Sequence, residues 1–134
     1  MASELRVTTI ANNAGSESVN TTYVVNGSAK AWVNFNGQGT IASRSSLNVT
    51  SLTDNGTGDY TINISSSFSD ANYTLGTYAA GNLGTADFNN RIFGSSIKAT
   101  GSHRTAAGYI NSTVGGIAAY DSQINDIIFM GDLA

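Results

Sequence analysis

Leu47-Asn48-Val49-Thr50-Ser51-Leu52-Thr53, Asp54-Asn55-Gly56-Thr57-Gly58-Asp59 and Tyr60-Thr61-Ile62-Asn63-Ile64-Ser65 follow one another without a break, and their reading decides the fold class. Two runs rich in β-branched residues flank six that hold two glycines, two aspartates and an asparagine. Asn55-Gly56 can supply the positive φ that a tight turn needs, and Gly58 is a second permissive position. On the returning run Tyr60, Ile62 and Ile64 share one face and Thr61 and Asn63 the other, so the first face is expected to be core. The stretch reads as a β-hairpin, with Asn55, Gly56 and Gly58 as its structural turn.

Outward from it the same grammar repeats. Upstream, Ala31, Val33 and Phe35 alternate with Trp32 and Asn34. Downstream, strands are expected over 73–79, 91–99, 106–114 and 124–130, with a turn over 100–105. The last, Ile124 to Met130, is apolar on both faces in its second half; it reads as a central strand, or as one whose second face meets another chain. No amphipathic helix is expected anywhere. About seven to eight short strands at this spacing predict an all-β antiparallel sandwich or flattened barrel.

Composition agrees and narrows the function. Charged residues are 11% of the 134, and Asn, Ser, Thr and Gly cover the surface instead. Few Lys and Glu disfavour solvated helices, whereas Thr, Val, Ile and Tyr suit pleated strands. Net charge is −3 and the six Lys/Arg are scattered, so no basic stripe exists for nucleic acid. There is no cysteine, hence no disulfide framework and no thiolate metal site. The opening MASELRVTT lacks an apolar signal core, and no run approaches the roughly 20 apolar residues of a membrane span. Synthesis in a cytoplasm, without a signal peptide or membrane insertion, is expected. The seven Asn-X-Ser/Thr triplets therefore read as unglycosylated.

Residues 1–28 stand apart from 29–134. They hold the short alternating segment Leu5 to Ile10, a polar stretch, and Tyr23-Val24-Val25 before Asn26-Gly27-Ser28. So little apolar material cannot form a core, so it must pack on something else. Residues 1–28 are expected to be an arm for anchoring or trimerisation, and 29–134 the β-sandwich domain. With no proline or cysteine and low charge, stabilisation by packing between chains is expected.

The chemistry for catalysis is sparse. One histidine, His103, sits where a turn is expected, and no Gly-x-Ser-x-Gly marks a nucleophile. Asp54, Asp59, Asp70, Asp87, Asp121, Asp126 and Asp132 mostly adjoin Gly, Asn or Ser, where Asp caps its own backbone rather than serving a glycosidase pair. Asp54 to Asp59 lacks the ligand spacing of a calcium loop. No enzyme activity, cofactor or metal is expected. Two loops hold groups suited to stacking and hydrogen bonding, giving Phe88, Asn89, Asn90, Arg91, His103 and Arg104 as receptor-contact candidates. Trp32 reads as core or interchain packing rather than as a sugar platform.

The run AKAWVNFNGQGTIASRSSLNVTSLTDNGTGDYTINISSSFSDANYTL, 29–75, resembles a module of tail-fibre and other virion proteins of marine and cyanobacterial bacteriophages. Ala29 to Trp32, Asn34, Phe35, Gly37, Gly39, Thr40, Arg44, Asn48, Val49, Asp54, Gly56, Gly58, Tyr60, Thr61, Asp70, Asn72 and Tyr73 carry it. The opening SELRVTTIANNAGS is similar to such N-termini, while 76–134 match no motif. The resemblance implies a trimeric virion appendage: a tail fibre or fibre tip contributing to host attachment, bound to other virion proteins through its arm and to a host-surface glycan or protein. The alternatives are a capsid-decorating fibre or knob, and a free carbohydrate-binding lectin.

Overall fold

A computed structural model describes residues 5–81, 91–111 and 116–134; of 91–93, 95–96 and 111 it describes the backbone. The described chain is all-β apart from one short helix. Its elements are β1 (Thr9–Ala11), β2 (Ser18–Asn20), α1 (Thr21–Gly27), β3 (Ala31–Asn36), β4 (Ala42–Leu47), β5 (Val49–Gly56), β6 (Asp59–Ile64), β7 (Thr74–Ala80), β8 (Arg91–Ala99), β9 (Ser102–Asn111), β10 (Gly116–Ala119) and β11 (Ile124–Met130). All pairings between these strands are antiparallel.

Three sheets result. β1 and β2 form a two-stranded sheet; β4-β3-β11-β7 form a second; β10-β9-β6-β5 form a third, with β8 also on β9. The two larger sheets share one core. Ala31, Val33, Phe35, Ile127 and Phe129 come from the four-stranded sheet, and Tyr60, Ile62, Ile64 and Ala107 from the five-stranded one. The Phe35 ring meets the Tyr60 ring edge-on, 5.2 Å between centroids. Phe68 and Tyr73, from the link between β6 and β7, complete the aromatic cluster on Phe129. The alternation read on 31–35 and 60–64 is the alternation found.

The hairpin lies where the sequence placed it, with a different tip. β5 runs to Gly56 and β6 starts at Asp59, so Thr57 and Gly58 make the two-residue loop. The register slips between Asp54 and Gly56, so Asn55 is an inserted bulge residue. Its amide donates to Thr61 Oγ1 at 2.9 Å. Gly56 has φ +130° and Gly58 φ +67°.

Four readings need correction. Thr21–Gly27 is a helix, where none was expected. The Asn20 side chain caps it by accepting from Thr22 N at 2.8 Å, and this local bond outweighs the strand preference of Tyr23-Val24-Val25. Ala42–Leu47 is a strand, missed because its side chains are exposed and carry no alternation. Gly116–Ala119 is a short strand on β9, missed for its four-residue length. Finally, β9 begins at Ser102, so 102–105 belong to a strand and not to a turn.

β11 does lie inside its sheet, between β3 and β7. Only one of its faces is core: Asn125, Ile127 and Phe129 are buried, whereas Ile128 opposite is 44% exposed. In the N-terminal elements no side chain is buried. Among the described residues, half of the exposed large apolar side chains lie before Gly27: Leu5, Val7, Ile10, Val19, Tyr23, Val24 and Val25.

Candidate functional site

Strand parity separates the two candidates that the sequence placed side by side. His103 and Arg104 are neighbours on β9, so their side chains leave opposite faces of the sheet. His103 points inward and is fully buried, which corrects its placement in an exposed turn. Its Nδ1 lies 3.4 Å from the Tyr73 hydroxyl and its ring meets Phe129 edge-on at 5.6 Å, while Nε2 is without a hydrogen bond. Burial, helped by the Lys98 ammonium, pushes its pKa down to about 4. It is a neutral core residue and does not face a receptor.

Arg104 lies on the outer face. Its Nε donates to Asp59 Oδ1 at 2.8 Å and its Nη2 to Asp59 Oδ2, an ion pair that holds the Asp59 carboxyl below the usual range. The guanidinium thus ties β9 to the hairpin tip. Arg91 starts β8, with its side chain outside the description. Phe88, Asn89 and Asn90 lie outside the described residues. The proposed contact set is therefore not brought together by the part of the structure described.

The aspartates read as turn caps divide by position. Asp54 Oδ1 accepts from Gly56 N and Asp70 Oδ1 from Asn72 N, both local caps. Asp121 is long-range: its Oδ1 accepts from the Tyr60 hydroxyl at 2.8 Å and from Gly58 N at 2.7 Å. Burial, then this bond, pushes the Tyr60 phenol pKa strongly up. Asp126 sits mid-strand on β11 and caps nothing.

Asp126 leads to a site that reading along the chain missed. β3, β11 and β7 are paired so that Trp32 lies opposite Ile128, Ile128 opposite Gly76, Asn34 opposite Asp126, and Asp126 opposite Tyr78. These are outward-facing positions, so Trp32, expected in core or interchain packing, is not in the core; it is partly exposed. Tyr78 is 59% exposed. Together they line an open depression of about 440 Å³ on the sheet surface. Ile128 and Gly76 form the apolar part of its lining and Asn34 and Asp126 its polar part. The Asn34 amide donates to Asp126 Oδ1 at 2.5 Å. Arg44, from β4, donates to Gln123 O at 2.6 Å and to Asn34 Oδ1 at 3.4 Å. The only signal in the sequence was the aromatic-polar pairing Trp32-x-Asn34; that Tyr78 and Asp126 join them is a fact of strand order.

Among the described residues no three His, Cys, Asp or Glu side chains are grouped to hold a metal ion, and no helix is long and apolar enough to cross a membrane. No family model, curated protein or solved structure matches this chain.

Proposed function

We propose that this chain is a non-enzymatic structural part of a bacteriophage particle, a tail fibre or fibre tip, built as a β-sandwich and assembled as a homotrimer. The particle assignment rests on the resemblance of residues 29–75 to phage appendage modules. The observation that carries the assembly is the N-terminal segment. Seven large apolar side chains are exposed there: Leu5 and Val7 ahead of the first strand, and five on two three-residue strands and a seven-residue helix that bury no side chain. A two-stranded ribbon and a two-turn helix are not stable alone in water, so the segment requires a covering surface. Sister chains and a neighbouring virion protein are that surface. Ile97, Ile110 and Ile117, exposed on the five-stranded sheet, support contacts between chains as well.

Light scattering of the purified chain at micromolar concentration is expected to give the trimer mass; a stable monomer refutes the assembly. Immunogold labelling of intact particles is expected to place the chain at the tail. Label on the capsid indicates a decorating fibre, and absence from particles leaves the free lectin.

A further inference from the structure

The depression between Trp32 and Tyr78 presents groups that folding leaves unused. The two rings stand on β3 and β7 with β11 between them, a lateral separation of about 10 Å at ordinary strand spacing. Between them lie Ile128 and, in line with it, Gly76, whose missing side chain keeps the floor open. At one side is a polar pair with a defined orientation. The Arg44 contact with Asn34 Oδ1 sets the amide, so Asn34 Nδ2 faces Asp126 Oδ1. Asp126 Oδ2, the Trp32 indole N–H and the Tyr78 hydroxyl make no hydrogen bond among the described residues.

The occupant must match both halves. A wholly apolar partner would bury the Asp126 carboxylate without hydrogen bonds, at a high desolvation cost. A phosphate or carboxylate ligand would meet Asp126 on a chain of net charge −3, with the nearby Arg44 already engaged. A ligand with an apolar C–H face and hydroxyl donors at its edge satisfies the aromatic and polar halves together. We infer that this face binds a neutral pyranose sugar, its C–H face against Trp32, Tyr78 closing the other side, and two adjacent hydroxyls bridging Asp126 and Asn34. The inference is independent of the particle assignment, since it concerns the isolated chain; labelling of virions can fail while sugar binding stands.

Trp32 is the one tryptophan in the chain, so its fluorescence reports this site alone. The full-length protein is titrated with galactose, glucose, mannose and N-acetylglucosamine, with glucuronate as the anionic control. At least one neutral sugar is expected to give a saturable change with a Kd of about 1 mM, and glucuronate none. Tyr78→Ala, at an exposed position, and Asp126→Asn are each expected to raise that Kd tenfold or more. Gly76→Val, whose added Cβ meets only Ile128 at 3.6 Å, should fill the floor and abolish binding with the fold intact. No response to any neutral sugar at about 100 mM overturns the inference. So does equal binding of glucuronate, or undiminished binding by both Tyr78→Ala and Asp126→Asn. Conversion of the oligomer to monomers by Tyr78→Ala overturns it too, because the face is then a subunit contact.

Discussion

Gly58 shows how much one position can constrain. Its φ is +67°, and a Cβ there would lie 2.2 Å from Ala107 O and 2.8 Å from Tyr120 N, both backbone atoms that cannot swing away. Its amide also donates to Asp121. Gly56, at φ +130°, has open space around it. Gly58→Ala is therefore expected to cost about 3 kcal/mol or to prevent folding, and Gly56→Ala about 1–2 kcal/mol, both read from urea unfolding. Equal costs would mean that the close approach to Ala107 is not rigid. His103 gives the second prediction at this scale. The unfolded chain protonates near 6.5 and the folded one only near 4, so between these values the unfolded state alone takes up the proton. Stability should fall as pH drops through this window, by roughly 3 kcal/mol in all. His103→Phe removes that contribution, so the variant's unfolding free energy should decline less between pH 7 and 4.5 than the parent's. Parallel declines would place the acid sensitivity in the carboxylates instead.

At the scale of elements, the join between β4 and β5 organises the two larger sheets. β4 belongs to the four-stranded sheet and β5 to the five-stranded one, with the single residue Asn48 between them. Asn48 has φ +56°, the left-handed region that asparagine tolerates better than most residues. Its side chain clamps the far end of the hairpin: Oδ1 accepts from Ser66 N at 2.7 Å and Nδ2 donates to Ser66 O at 3.0 Å. The residue thus turns the chain from one sheet to the other and ties the corner to the strand that returns. Asn48→Ala loses both bonds and keeps the unfavourable φ, and should cost about 2–3 kcal/mol; Asn48→Gly relieves the φ and should cost less. A Gly variant worse than the Ala variant, by thermal or urea unfolding, would contradict this. The corner was not visible in the sequence, where 47–53 reads as one continuous strand. The backbone reversal at Asn48 has no apolar signature.

For the whole molecule, the described residues before Ala29 expose apolar side chains and bury none, while the buried core lies entirely in the rest. The core draws on Ala31 to Phe129 and uses nothing from the N-terminal elements. Deleting residues 1–28 should therefore leave the unfolding midpoint of the remaining chain, measured at fixed dilute concentration, within a few degrees of the parent, while lowering the mass seen by light scattering. A truncated chain that fails to fold would show that the arm is part of the core's support.

What the sequence determined by itself was the alternation of two strands and the turn chemistry of one hairpin. Alternation at 60–64 named the core face and at 31–35 separated the two faces, because side chains of a strand alternate whatever the strand pairs with. Asn55-Gly56 and Gly58 between two β-branched runs placed the hairpin for a similarly local reason. What only the tertiary structure decided was partnership. The direction His103 faces depends on the register of β9 against β6, a matter of one residue either way. The meeting of Trp32, Asn34, Tyr78 and Asp126 depends on β11 entering between β3 and β7, strands that lie far from it in the chain. Periodicity says which side a residue takes along its own strand; strand order, settled by burying both sheets against each other, says who stands beside it.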